Sequence, residues 1–266
     1  MKRTLYQVDA FASEVFKGNP AAVCICDQWP DRSLMQQVAN ENNLSETAFA
    51  VPVNECYEIR WFTPEMEVEL CGHATLATAH VLFNHMDLEG NLICFNTIHS
   101  GILTVRKNGD LLTLDFPADT LEEMVVPELI VTALQTPPLK AFRGKTDFMF
   151  VYASQTEIEN MDPDFGLLAQ VGGRGVIVTA LGNDVDFVSR FFAPQTGINE
   201  DPVTGSAHTA LTPYWSKVLG KSKLYGRQIS RRGGEIHCSA SGNGRVEIAG
   251  QCALYLEGEI LVGGAG

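Results

Sequence analysis

Three titratable side chains occupy positions suited to proton transfer: Glu46, His73 and Asp201. Glu46 lies between a polar Asn-Asn-Leu-Ser segment and a hydrophobic predicted strand, where partial burial suits a general acid or base. Asp201 precedes a proline and a glycine-containing turn. His73 stands at a predicted helix start, where the helix dipole favours a neutral imidazole that can accept or relay a proton. We predict that the three residues form an acid/base set.

Two short turns, each leading into a helix rich in alanine, threonine and leucine, are predicted to bind an anion beside this set. They read Cys71-Gly72-His73-Ala74 and Thr204-Gly205-Ser206-Ala207. The first backbone N–H groups of a helix lack intrahelical partners, and the helix dipole favours negative charge there. A substrate carboxylate, or a carbanion developing next to one, would be stabilised at such a place. Taken alone, each turn would be an ordinary helix cap.

Both turns belong to a longer pattern that occurs twice, roughly 130 residues apart. Residues 60–80 and 190–211 each contain a strand with alternating aromatic residues, a proline, a polar turn and a Gly-x-Ala step before a helix. Hairpin signals at Asn108-Gly109 and Asn243-Gly244 repeat at a similar distance. A period this long indicates a duplicated domain, and duplication favours one site built from both turns.

The repeat predicts an α+β fold of two pseudo-symmetric lobes, each a mixed, mainly antiparallel sheet around a central helix. Residues 1–118 would form the first lobe, completed by residues 257–266, and residues 119–256 would form the second. If the lobes face each other about a pseudo-twofold axis, both helix starts point into one cleft.

Composition restricts the partners and the compartment. The formal net charge of −13 and the isoelectric point near 4.8 argue against binding nucleic acid or an anionic membrane surface. A small anionic substrate remains compatible, because a helix start binds anions locally. No stretch has the length of a membrane span and the first residues lack the apolar core of a secretion signal, so a cytoplasmic protein is expected.

Cysteine and histidine spacing gives no sign of a metal centre. The seven cysteines include no Cys-x-x-Cys pair, so neither a disulfide framework nor a zinc cluster is indicated, and most should be reduced core residues. No His/Cys/Asp group has the spacing of metal ligands. The segment Gly172-Gly173-Arg174-Gly175 lacks the spacing of a nucleotide-binding loop and is interpreted as a connection between elements.

At these residues the chain resembles the PhzF-like family, the phenazine-biosynthesis isomerase and its relatives, which have the diaminopimelate epimerase fold. The matching segments are Gln7-Val8-Asp9-Ala10-Phe11, Gly18-Asn19-Pro20-Ala21-Ala22, Leu44-Ser45-Glu46-Thr47, Phe62-Thr63-Pro64, Cys71-Gly72-His73-Ala74 and Asp201-Pro202-Val203-Thr204-Gly205-Ser206-Ala207-His208. Together they extend over nearly the whole chain.

The resemblance implies a two-lobed isomerase, commonly a homodimer, that works without a cofactor on a small carboxylate. Glu46 would take a proton from one carbon and return one to another, with His73 and Asp201 in support. The family's substrate contacts fall on Gly72, Gly205 and Ser206. The predicted reaction is therefore a proton shift on a small cyclic or unsaturated carboxylate.

Two alternatives remain open. The related epimerases and proline racemases use one cysteine from each half, and Cys71 occupies the first such position. The second position holds Thr204, whose hydroxyl is too weak an acid and base for that role. A non-catalytic binding or interaction protein that retains the fold is the other alternative.

Overall fold

The computed structural model describes residues 2–86 and 88–262 and is a strand-rich mixed α/β structure. Its strands, in chain order, are β1 (Lys2–Ala10), β2 (Asn19–Ile25), β3 (Glu46–Val53), β4 (Cys56–Phe62), β5 (Glu67–Val68), β6 (Leu92–Asn96), β7 (Ile102–Asn108), β8 (Leu111–Pro117), β9 (Glu122–Met124), β10 (Lys140–Arg143), β11 (Asp147–Val151), β12 (Gly175–Leu181), β13 (Phe187–Ala193), β14 (Ile198–Asp201), β15 (Lys223–Gln228), β16 (Gly234–Ala240), β17 (Arg245–Gly250) and β18 (Cys252–Leu261). Its helices are α1 (Arg32–Asn42), α2 (Gly72–His85), α3 (Glu128–Leu134), α4 (Gln155–Glu159), α5 (Phe165–Leu168) and α6 (His208–Leu219).

The chain divides into two compact units. The first contains the residues up to Asp115 together with those from Ala249 onward, and the second contains Phe116–Ile248. The sequence predicted a first lobe of residues 1–118, completed by residues 257–266, and a second lobe of residues 119–256. In the structure the returning segment is longer, because β18 begins at Cys252 and pairs with β1 along its whole length.

In the first unit, β1 lies between β18 and β2 and is antiparallel to both. Strand β2 is parallel to β3, which is antiparallel to β4. Strand β4 also pairs with β5 in the antiparallel sense and with β6 in the parallel sense. The hairpin predicted at Asn108-Gly109 is confirmed: it joins β7 to β8, and Gly109 has the positive φ of +60° that such a tight turn favours.

Helix α2 is buried among the strands of its unit, where it contacts β1, β2, β3 and β18. Its small alanine side chains let those strands approach closely, and an apolar helix without a solvent face is expected to be a core helix. Helix α1 contacts β3 and β4, and its Met35 and Val38 share a core cluster with Phe49 and Phe62. The helix and strand that carry His73 and Glu46 are thereby packed against the core of the first unit.

The second unit repeats these pairings in the same order. Strands β9, β10 and β11 form successive antiparallel pairs, and β11 is parallel to β12. Strand β12 is antiparallel to β13, which pairs with β14 in the antiparallel sense and with β15 in the parallel sense. Strand β15 is antiparallel to β16, and α6 contacts both. The duplicated sequence pattern therefore corresponds to a duplicated strand topology.

One disulfide joins Cys56 to Cys94 at the parallel pairing of β4 with β6, with the Cα atoms 4.9 Å apart. The other cysteines are free thiols, and all but Cys252 are buried. An odd number of cysteines without a motif did not reveal this pair, because the pairing depends on strand register. Among residues 2–86 and 88–262 no helix is long and apolar enough to cross a membrane.

Candidate active site

Glu46 and His73 lie against each other in the first unit. Glu46 is the first residue of β3 and His73 is the second residue of α2. Oε2 of Glu46 lies 3.1 Å from Nε2 of His73, and the two side chains are only 15% and 7% exposed. Apart from this ion-pair contact, neither buried atom has a hydrogen-bond partner among the described residues. Each atom therefore depends on the other to offset its loss of water on burial.

The other ring nitrogen of His73 faces Cys71 and Asn19. Nδ1 lies 3.5 Å from Sγ of Cys71 and 3.3 Å from Nδ2 of Asn19. Asn19 follows Gly18, which has a φ of +64°, and a Cβ on Gly18 would lie 2.1 Å from the carbonyl oxygen of Ala10. Only glycine fits at position 18, and it fixes how the chain presents Asn19 to the histidine.

The charge of His73 follows from its neighbours. Burial by itself lowers the pKa of His73, whereas the thiolate form of Cys71 and the carboxylate of Glu46 raise it, and the net direction is upward. Burial, followed by the charge of Glu46, raises the pKa of Cys71, which is therefore a neutral thiol near neutral pH. The carboxylate of Glu46 is thus the charge that stabilises a protonated His73.

The contact with Glu46 opposes the neutral imidazole predicted for His73 from the helix dipole, because a neighbouring carboxylate favours the protonated ring. A carboxylate at 3.1 Å in a buried site interacts with the ring more strongly than the partial charge of the helix start does. The sequence did not show this contact, because it depends on how β3 and α2 pack together. The structure instead favours a histidine cation that holds the Glu46 carboxylate in place.

Glu46, Cys71 and His73 each offer one atom of a kind that binds metal ions, and these atoms lie within 4.8 Å of one another. Spacing along the chain did not reveal this group. A metal would require a Cys71 thiolate and a neutral His73, whereas the pKa of each is raised, which opposes both forms. Cys71 and Glu46 also contact different nitrogens of the ring. The arrangement therefore fits proton transfer better than metal binding.

Asp201 lies in the second unit, at the end of β14, beside the second predicted turn. The Thr204 hydroxyl donates a hydrogen bond to Oδ2 of Asp201. The fully buried Gln228 accepts from the backbone N–H of Thr204 at 2.9 Å and donates to the carbonyl oxygen of Asp201 at 2.8 Å. These bonds fix the turn from Asp201 to Thr204. Sequence reasoning missed Gln228, which stands at the end of β15 in no recognisable motif.

Gly205 and Ser206 form a 3-10 turn, Gly205–Ala207, immediately before α6. Nδ1 of His208 lies 2.8 Å from the carbonyl oxygen of Thr204. Because a carbonyl oxygen only accepts, Nδ1 carries a hydrogen and donates a hydrogen bond to it. Burial lowers the pKa of His208 to about 4, and the ring is neutral near neutral pH. The predicted contacts at Gly205 and Ser206 thus lie on a turn that a neutral, buried histidine holds from the helix side.

Arg174, interpreted from the sequence as part of a simple connecting loop, has specific partners in the second unit. Its Nε donates to Oδ1 of the buried Asp147 at 2.9 Å, and its Nη2 donates to Oδ2. The charges of Asp201 and Asp119 also act on its guanidinium, which lies 5.2 Å from the centre of the Phe191 ring. The loop therefore places a positive charge near Asp201, which no sequence motif indicated.

Comparison with known proteins extends over the length of the chain. Residues 8–258 match the family described as phenazine biosynthesis-like protein. An uncharacterised isomerase of Pseudomonas aeruginosa is 47% identical over 260 residues, which cover 98% of this chain and 99% of the relative. A phenazine biosynthesis-like domain-containing protein of Homo sapiens is 39% identical over 287 residues, with 98% and 99% covered.

Solved structures give the same result for the fold. A PhzF-family protein of Enterococcus faecalis superimposes with a TM-score of 0.96 at 46% identity, covering 98% of this chain and 100% of the other. A hydroxyproline epimerase of Agrobacterium vitis superimposes with a TM-score of 0.64 at 10% identity, covering 97% of this chain and 92% of the other. The second likeness concerns the fold alone.

Proposed function

Because the chain belongs to the phenazine biosynthesis-like (PhzF) family and is an isomerase, we propose that it shifts a proton on a small cyclic or unsaturated carboxylate. Glu46 is the general acid/base and no cofactor takes part. The observation that carries this proposal is the buried contact of 3.1 Å between Oε2 of Glu46 and Nε2 of His73. It keeps a carboxylate, the form that removes a proton, in a largely buried place.

The reaction needs only one proton carrier. The Glu46 carboxylate takes a proton from a carbon next to the unsaturated or carboxylate group, and the electron pair of the broken C–H bond delocalises into that group. Protonated Glu46 then returns the proton to a second carbon, so that the product is an isomer of the substrate. His73 keeps its charge throughout and offsets the charge that moves between Glu46 and the substrate.

Asp201, Gly205 and Ser206 in the second unit, and Gly72 at the start of α2 in the first, are proposed as supporting residues. Their roles rest on the family resemblance and on the duplicated helix starts. The bonds that Gln228 and His208 make to the second turn support it as a rigid anion-binding element, because a preorganised site loses no energy in reordering when charge develops.

A solvent-exchange experiment tests the assignment of Glu46. Small carboxylates that raise the melting temperature identify ligands of the folded protein, and these are then incubated with the enzyme in D2O. We expect deuterium to enter a bound carboxylate, and Glu46→Gln to slow this entry by about 10²- to 10⁴-fold. Glu41→Gln, which changes an exposed glutamate of α1, is the matched control. Undiminished exchange in Glu46→Gln refutes the assignment.

A cysteine-dependent racemase is the second candidate, and the distance of 3.5 Å from Cys71 Sγ to His73 Nδ1 is the observation that favours it. A neutral histidine there would act as a base for the thiol. Two features oppose it: the pKa of Cys71 is raised by burial, and the Thr204 hydroxyl in the second turn is bonded to Asp201. A non-catalytic protein would bind carboxylates without exchanging any proton in D2O.

A further inference from the structure

Among the described residues, each unit contains an arginine–glutamate pair joined by two parallel hydrogen bonds. In the first unit, Nε of Arg60 on β4 donates to Oε1 of Glu67 on β5 at 2.6 Å, and Nη2 donates to Oε2 at 2.8 Å. The side chains are 18% and 17% exposed, so the pair is largely removed from water. Two parallel charge-assisted bonds in such surroundings fix both side chains in one orientation.

The second unit has its counterpart in Arg190 on β13 and Glu200 on β14. The corresponding distances are 2.7 Å and 3.0 Å. Each guanidinium also lies over the ring of the phenylalanine two residues later, at 5.4 Å for Phe62 and 4.9 Å for Phe192. The arrangement therefore occurs at the same place in both copies of the duplicated topology, between the long strand and the segment that enters the helix.

The first pair anchors the segment that carries half of the candidate site. Residues 63–71 connect β4 to α2, and Cys71 and His73 follow directly. Arg32 of α1 adds a third bond to Glu67, at 2.8 Å. Gln36 of α1 donates to the carbonyl oxygens of Thr63 and Pro64 at 2.8 Å and 3.1 Å. The segment is therefore held by both β4 and α1 before it reaches the histidine.

Glu46 lies on the strand that pairs with the strand of Arg60. It lies on β3, which pairs with β4 in a register that places Phe49 opposite Arg60. Arg60 thus belongs to the strand pair that fixes the glutamate, and Glu67 belongs to the segment that fixes the histidine. We propose that Arg60 and Glu67 are positioning residues that hold His73 against Glu46. The inference rests on the proposed function in one respect: that function makes the contact between Glu46 and His73 the relevant one.

Titration of His73 by nuclear magnetic resonance of the full-length protein tests the inference, with the signal assigned by its loss in His73→Gln. In Glu67→Gln we expect the pKa of His73 to fall by about one unit or more, a tenfold or larger loss of proton affinity, since the loosened segment lets His73 move away from the Glu46 carboxylate. Asp186→Asn is the matched control, because Asp186 is also 17% exposed and paired with a lysine, Lys221, in the second unit. A folded Glu67→Gln protein with an unchanged His73 titration overturns the inference.

Arg60→Lys is the second test of the inference, for the case in which the Glu67→Gln protein does not fold. Lysine keeps the positive charge but cannot form the two parallel bonds, so the His73 pKa should fall by a smaller amount. An unchanged titration in a folded Arg60→Lys protein also overturns the inference. The result is separate from catalysis: full deuterium exchange in Glu46→Gln would refute the role of the glutamate, whereas a shifted His73 in Glu67→Gln would still support the positioning role.

Discussion

Gln228 accepts a hydrogen bond from the backbone N–H of Thr204 at 2.9 Å, and its side chain has no exposed surface. Replacement by methionine keeps the volume but removes both hydrogen-bonding groups, which leaves the Thr204 N–H and the Asp201 carbonyl without these bonds in the interior. We expect Gln228→Met to lower the free energy of unfolding by about 2–3 kcal/mol, measured by urea denaturation. Gln170→Met, at an exposed position, should change it by less than about 0.5 kcal/mol. Equal stabilities of the two variants would contradict this account of the turn.

His208 should make the protein less stable in mild acid. Burial lowers its pKa from 6.5 to about 4, and its buried Nε2 has no hydrogen-bond partner among the described residues. Between these values the unfolded chain binds a proton that the folded protein does not, so stability falls as the pH falls from 6.5 towards 4, by up to about 3 kcal/mol.

His208→Asn should remove this component of the pH dependence. Asparagine keeps a donor for the Thr204 carbonyl but does not titrate, so the variant should lose less stability than the wild type between pH 7 and pH 4.5 in urea denaturation. His80, whose pKa burial also lowers to about 4, contributes equally to both proteins and cancels in the difference. The same loss in both proteins would show that His208 is not the responsible group.

The Cys56–Cys94 disulfide closes a loop with a sequence separation of 38 that contains all of α2 and therefore His73. Its reduction should lower the free energy of unfolding by about 2–4 kcal/mol, since the unfolded chain gains freedom. A thiol reagent should find five thiols in the unreduced denatured protein and seven after reduction. Cys94→Ser is the control, because its melting temperature should not respond to reductant. Seven thiols before reduction would refute the bond.

Local patterns were sufficient to predict the elements that carry the chemistry. The repeated run of an aromatic strand, a proline and a Gly-x-Ala step correctly predicted helices beginning near Gly72 and His208. Turn chemistry predicted the hairpin at Asn108-Gly109. Each of these signals acts between residues that are neighbours along the chain, and so it is visible in a sequence without any knowledge of packing.

The contacts that position the site and set its charge could not be predicted from neighbours along the chain. Arg60 and Arg190 stand at matching places in the repeat, but Glu67 follows the first by seven residues and Glu200 follows the second by ten. A common spacing that would have revealed the pairs is therefore absent. The protonation of His73 depends on Glu46, which reaches it only when β3 packs beside the start of α2.

Cys71 separates the two candidate reactions. If Glu46 carries the proton, Cys71→Ala should retain deuterium exchange within about tenfold of the wild type, because burial raises the pKa of Cys71 and leaves an unreactive thiol. A racemase that depends on this thiol would lose exchange altogether. Cys238→Ala, which removes another buried free thiol in the second unit, is the control for the cavity that the substitution leaves. Measured in D2O on the same carboxylate, abolished exchange in Cys71→Ala alone would favour the cysteine mechanism over the glutamate one.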